Sequence, residues 1–199
     1  MKIFKPEEFK DLFNEGKTFD EYVDAIEDKD HAKRYRLYYK RASIPDDILE
    51  KLSNLKYPLN VIVLAADWCW DCQTNVPIII KLAEASNKIN VRFFKKEEYP
   101  DLNWKTNGGD KVPMVHFFSE DGYYVTTWIE KPTITYMIYG RLRQKLGWDI
   151  DKYEFLKEYR QEFLRNQAEL NEATAREILD VLLKVEAIFS TSPRLNHKV

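Results

Sequence analysis

The chain of 199 residues carries 31 basic and 33 acidic side chains, a formal charge of −2, and is 14% aromatic and 32% charged. Its apolar content suffices for a buried core and excludes wholesale disorder, and the near-neutral balance argues against a dedicated nucleic-acid binder. No apolar run approaches the roughly 20 residues that a membrane-crossing helix needs, so no membrane association is expected.

The opening third reads as helix. Thr18 is a good N-cap and Glu21 completes a capping box, with Phe19, Tyr22, Val23 and Ile26 recurring on one apolar face. An acidic stretch over residues 20–30 precedes a basic one with Lys33, Arg34, Arg36, Lys40 and Arg41. With Tyr35, Tyr38 and Tyr39 interleaved, this run admits an RNA or phosphate reading. The more common reading is a solvated helix face whose tyrosines pack inward and whose charges meet the acidic segment. A short helix follows Ser43-Ile-Pro-Asp-Asp, with Ile48, Leu49 and Leu52 as its buried side.

Near residue 60 the pattern changes. Residues 61–66 form a largely β-branched run, the mark of a strand buried on both faces. A helix is predicted over 72–86 with Ile78, Ile79, Leu82 and Ala83 inward, then a strand over 91–94. Strands over 115–118 and 123–128 flank Ser-Glu-Asp-Gly122, a hairpin turn. Ile134, Met137, Ile138 and Leu142 make a further amphipathic helix before Gly147-Trp148. Residues 151–189 are charged, with apolar positions at Phe155, Tyr159, Phe163, Leu170, Ile178, Leu182 and Phe189. The last ten residues lack periodicity and are expected to fray. Trp104, Trp128 and Trp148 are expected in the core or at a junction.

The two cysteines, Cys69 and Cys72, form one C-x-x-C that closes almost no loop, so its value is chemical rather than structural. The pair follows a buried strand and opens a helix, where N–H groups and the helix dipole favour a thiolate at the first position. Cys69 is therefore expected to attack as an exposed nucleophile and Cys72, one turn inward, to resolve. A zinc site would need four ligands, yet no other cysteine exists and His31, His116 and His197 lack ligand spacing. An iron–sulfur cluster shared between subunits is a remote third option. His116 is more often a packed histidine than a catalyst. Acids in Met1-Lys-Ile-Phe-Lys-Pro-Glu-Glu, where a secretion signal would be apolar, make a cytoplasmic location the expectation.

Over residues 58–131 the chain resembles the thioredoxin superfamily. The residues that carry the resemblance are the buried strand leading into Trp68-Cys69-Trp70-Asp71-Cys72, Pro77 five residues on, Val112-Pro113 in the place of the cis-proline loop, and Gly122. Trp-Cys-x-Asp-Cys is similar to the Asp-containing branch, which includes microbial cytosolic proteins. Asn107-Gly-Gly109 and Trp128-Ile-Glu-Lys-Pro132 extend that likeness.

The resemblance implies an α/β fold, a thioredoxin-like mixed sheet flanked by helices. Residues 1–57 would form an N-terminal helical extension, 58–131 the core, 132–189 a C-terminal helical extension packed on it, and 190–199 a disordered tail. It further implies reduction of protein or small-molecule disulfides without a bound cofactor, with electrons from a reductase or a thiol. Val112 would present its backbone to an extended substrate, and Trp68 and Pro113 would shape the site.

Two departures stand out. The family's buried Asp, six residues before the first cysteine, is here Val63, and its lysine partner falls near Phe93 and Lys95. Proton handling then passes to Asp67, Asp71 or water. Asp71 would oppose the thiolate, and Trp70 would offer substrates a contact surface or restrict access. The C-terminal helices cover the sheet, make a dimer contact or select a partner; the sequence does not choose. A binding or redox-sensing module that recruits a partner through these helices is the alternative function.

Overall fold

The computed structural model describes residues 5–103, 105–106 and 109–195. Trp104, Asn107, Gly108 and His197, named above, lie outside the described residues. The N-terminal part contributes helices α1 (Pro6–Glu15), α2 (Phe19–Asp24), α3 (Lys29–Arg41) and α4 (Asp46–Ser53). Strand β1 (Leu59–Ala65) leads into helix α5 (Trp70–Glu84), followed by β2 (Ile89–Lys95) and a 3-10 turn at Pro100–Leu102. The short pair β3 (Lys105–Thr106) and β4 (Gly109–Asp110) precedes the hairpin β5 (Met114–Ser119) and β6 (Tyr124–Ile129). Helices α6 (Thr133–Leu146), α7 (Lys152–Arg165) and α8 (Gln167–Ser190) complete the chain.

The main sheet has the order β2-β1-β5-β6. β1 runs parallel to β2 and antiparallel to β5, which makes the sheet mixed. β1 sits in the middle and its residues 61–65 are buried throughout, as its continuous apolar run requires. Lys17, just after α1, bridges Phe93 through two backbone hydrogen bonds of 3.0 and 2.8 Å, so the N-terminal part covers the β2 edge.

Both α3 and α8 pack against α5, and α8 also reaches β6 and α4. A smaller apolar cluster, Tyr38, Ile138, Phe163 and Leu170 with Trp70 beside it, joins α3, α6, α7 and α8 to the start of α5. Glu177 of α8 accepts the Trp128 indole N–H at 3.0 Å and the Thr133 N–H at 2.7 Å, capping α6. Trp128 is thus a junction residue.

Sequence expectations hold at the capping box, where Thr18 and Glu21 bond reciprocally. Arg36 pairs with Asp20 and with Asp24, and Tyr35 and Tyr38 are buried, so the basic run is a helix face with its acidic partner. Five expectations are corrected. α5 begins at Trp70, because the Cys69 sulfur caps it. Leu49 and Met137 face solvent, since Ile48 with Leu52 and Thr135 with Ile138 mark the covered sides of their helices. Trp148 is 76% exposed. Within the expected tail, residues 191–195 fold back: Leu195 is buried, and Arg194 pairs with Asp121 and stacks over Tyr123.

The hairpin turn contains Gly122 at φ 89, and a Cβ there would lie 2.8 Å from Cδ1 of Phe9. Gly122→Ala is therefore expected to destabilise the chain by about 2 kcal/mol, from left-handed strain plus displacement of α1. Urea denaturation checks this; an unchanged midpoint would contradict it.

Candidate functional site

The turn between β1 and α5 carries Asp67, Trp68 and Cys69. Cys69 is the N-cap of α5: its carbonyl accepts the Gln73 N–H at 3.0 Å, and its Sγ accepts the Cys72 N–H at 3.3 Å. A side-chain acceptor at an N-cap satisfies one of the free N–H groups of the first turn, and a sulfur anion would strengthen that bond. On its other side the Cys69 thiol meets the Val112 carbonyl at 3.3 Å. The Val112–Pro113 peptide bond is cis. Both cysteines are free thiols. Cys69 keeps only 8% of its surface, less than an exposed nucleophile would, because the Val112 loop lies against it; Cys72 has none. Burial, then the neighbouring Cys69, pushes the Cys72 thiol well above its ordinary pKa.

Asp71 occupies the first turn of α5 with its carboxylate 3.1 Å from Lys131. Burial raises the Asp71 pKa against the opposing pull of Lys131. Lys131 also approaches Glu130 at 3.5 Å, and Glu130 meets Lys111 at 3.4 Å and accepts from the Tyr136 hydroxyl. The Asp71 carboxylate, expected to oppose the thiolate, thus has the Lys131 ammonium as its partner. Half-buried Trp70 packs edge-on against Tyr38 and Phe163 with Arg160 over its ring, so it also anchors α3 and α7 beside the motif. Trp68 is the exposed aromatic, 61% open, with its indole N–H on Glu97 at 3.1 Å.

The sequence reading missed several residues. Glu130 adopts φ 67, and its N–H bonds the Pro113 carbonyl at 2.7 Å. Its own carbonyl accepts from Asn75 of α5 at 3.4 Å, and Asn75 Oδ1 accepts from Thr174 of α8 at 2.7 Å. The cis-proline loop, α5 and α8 are thereby tied in one polar chain. The only signal for it was Glu130 and Lys131 within the Trp128–Pro132 motif. On the opposite side Lys95 pairs with Asp67 at 3.1 Å, and the Tyr22 hydroxyl donates to Asp67 at 3.3 Å. His116 lies buried in β5, with Nε2 at 2.9 Å from the Leu102 carbonyl and Nδ1 at 2.7 Å from the Thr127 hydroxyl. It is the packed histidine that spacing suggested. Among the described residues no group of three or more His, Cys, Asp or Glu side chains is placed to hold a metal.

A family model described as Thioredoxin matches residues 16–143. The chain belongs to the thioredoxin family. The match begins in the N-terminal helices and ends within α6, so this thioredoxin-family domain is larger than the 58–131 core. No curated protein matches the chain.

Among solved structures, a protein of unknown function from Pseudomonas aeruginosa is 15% identical, with 89% of this chain and 98% of that one covered at a TM-score of 0.64. An HIV epitope scaffold is 15% identical over 88% and 97% at 0.63. Mitochondrial thioredoxin 3 from Saccharomyces cerevisiae, in oxidised form, is 20% identical over 46% and 86% at 0.31. The first two likenesses extend the shared fold to the helices on both sides of the thioredoxin sheet. No helix is long and apolar enough to cross a membrane among the described residues.

Proposed function

We propose that the chain is a cytoplasmic dithiol–disulfide oxidoreductase of the Trp-Cys-x-Asp-Cys branch, reducing disulfides of proteins or small molecules. The observation that carries this reading is the Cys69 sulfur at the α5 N-cap, receiving the Cys72 N–H at 3.3 Å while Cys72 itself is fully buried. That N–H holds the attacking sulfur at the helix tip, and burial keeps Cys72 from competing for the first attack.

The Cys69 thiolate attacks one sulfur of the substrate disulfide and the other leaves as a thiolate. Cys72 then displaces the substrate sulfur from Cys69, closing a Cys69–Cys72 disulfide. The substrate gains two electrons and the dithiol loses them; a reductase or a thiol of low molecular weight restores the pair. Ionisation of Cys69 frees the Val112 carbonyl from the thiol, so that Val112, ahead of Pro113, can pair with an extended substrate backbone. Exposed Trp68 offers the apolar contact beside it.

Reduction of insulin disulfides with dithiothreitol as donor tests the reading. The chain is expected to turn over steadily, and Cys69→Ser to fall to the uncatalysed rate, a loss of at least about a thousandfold. Turnover that survives Cys69→Ser, or partner capture that survives loss of both thiols without any turnover, would overturn it.

A further inference from the structure

Among the described residues, Glu130 is the one residue other than glycine with a left-handed backbone, at φ 67. Its N–H donates to the Pro113 carbonyl at 2.7 Å, one step past the Met114–Ile129 pair at the end of the β5–β6 ladder. The next N–H, of Lys131, turns back to the Ile129 carbonyl at 2.9 Å. The chain thus leaves β6 through a γ-turn of the rare, strained kind. Glycine would adopt it freely, so a glutamate there points to a task for its side chain.

Glu130 is 8% exposed. Its Oε1 lies 3.4 Å from Lys111 Nζ and 3.5 Å from Lys131 Nζ, and its Oε2 accepts from the Tyr136 hydroxyl. Burial alone would raise its pKa, yet the Tyr136 hydroxyl, Lys131 and Lys111 hold the carboxyl below its ordinary value, so it is ionised at neutral pH. Its carbonyl accepts from Asn75 of α5 at 3.4 Å.

Lys111 and Pro113 are the two chain neighbours of Val112. One residue therefore grips the loop on both sides of the carbonyl that meets the Cys69 thiol at 3.3 Å. These bonds end on the loop, α5 and α6, whereas the Cys69 sulfur is held by the Cys72 N–H. The grip acts on what lies beside the sulfur.

We propose that Glu130 is a positioning residue that selects the substrate: by gripping Lys111 and Pro113 it presets the Val112 backbone beside Cys69, and so favours disulfides carried by an extended polypeptide over small-molecule disulfides. The proposal rests on the oxidoreductase reading and narrows its substrate class. An extended peptide gains main-chain hydrogen bonds from Val112 once the Cys69 thiol releases that carbonyl. A loop already in place loses little freedom when those bonds form. A small disulfide has no backbone to pair and gains nothing from the grip. The exchange itself is the same for both: Cys69 bonds to one substrate sulfur, and the other departs with the electron pair of the broken bond.

The test follows initial rates of dithiol loss from the reduced full-length chain, by acid quench, alkylation and intact mass. The substrates are insulin and bis(2-hydroxyethyl) disulfide, which is neutral and lacks a peptide. Glu130→Gly keeps the left-handed turn and removes the carboxylate; Lys111→Met removes only the arm nearest solvent and decides alone should Glu130→Gly fail to fold. The insulin rate divided by the small-disulfide rate is expected to fall about tenfold in Glu130→Gly and about threefold in Lys111→Met. The loss should appear as a higher half-saturating insulin concentration rather than a lower limiting rate, a split that loosened packing would not give. A ratio unchanged within about twofold, both substrates slowed alike, or a loss confined to the limiting rate would overturn the proposal alone. So would an unaltered chain that reacts with the small disulfide but not with insulin. No dithiol loss with either substrate would sink the oxidoreductase reading, and the proposal with it.

Discussion

Replacing Cys72 with serine is expected to stop turnover while sparing the first attack. The Cys69 sulfur is capped by the backbone N–H of residue 72, not by its side chain, so Cys72→Ser leaves the thiolate's hydrogen bond in place. Cys69 can then still open a substrate disulfide. A serine hydroxyl cannot displace the substrate sulfur, because it ionises far above any working pH and no sulfur–oxygen bond replaces the sulfur–sulfur bond lost. The mixed disulfide should accumulate to about one substrate per chain, readable by intact mass and reversed by dithiothreitol, with steady-state turnover down by about a thousandfold or more. Retained turnover, or no covalent adduct with an accessible disulfide, would show that Cys72 is not the resolving group.

The second large effect concerns acid. Burial lowers the His116 pKa to about 4, with the Leu102 carbonyl pulling the other way. That carbonyl can only accept, so Nε2 carries the proton and Nδ1 accepts from the Thr127 hydroxyl, leaving a neutral ring fully bonded. Between pH 6.5 and 4 the unfolded chain binds a proton at this histidine that the folded chain does not. Stability therefore rises with pH across that window and is lost as pH falls through it, by about 3 kcal/mol in total. Carboxylates titrate near its lower end, so the difference from His116→Gln isolates the effect. Urea unfolding at pH 7, 5.5 and 4 should show a gap between the two proteins that changes by about 3 kcal/mol, and parallel curves would refute it.

Much of the fold was written in short patterns. The buried run ending at Ala65, the adjoining C-x-x-C and the spacing to Pro113 located the strand–turn–helix and the loop facing it, because each depends on local chemistry. The α5 start was misplaced by two residues because a cysteine acting as an N-cap has no strong sequence signature. Leu49 and Met137 misled for a different reason: helical periodicity identifies an apolar stripe, but only the neighbouring helices decide how wide a stripe they cover.

Trp70 reads as a substrate contact or a restriction of access when only its neighbours in sequence are considered. Tyr38 and Phe163, from helices on either side of the core in sequence, give it a structural role. The polar chain from Pro113 through Glu130 and Asn75 to Thr174 was illegible, since no spacing rule connects residues so far apart. Tyr22 and Tyr35 were recognised as core residues; the partners of their hydroxyls, Asp67 and Ala66, were not.

The covering of α5 by α3 and α8 bears on how such a chain can be handled and inherited. Cut down to its sheet and central helix, the molecule would bare Val76, Ile78, Ile79 and Leu82 wherever α3 and α8 now shield them, and Asn75 would lose Thr174. A miniature version is thus expected to precipitate rather than work as a portable cassette. Recombination that shuffled the C-x-x-C segment without both flanks would have delivered an insoluble fragment, so ancestry should have kept the three parts together.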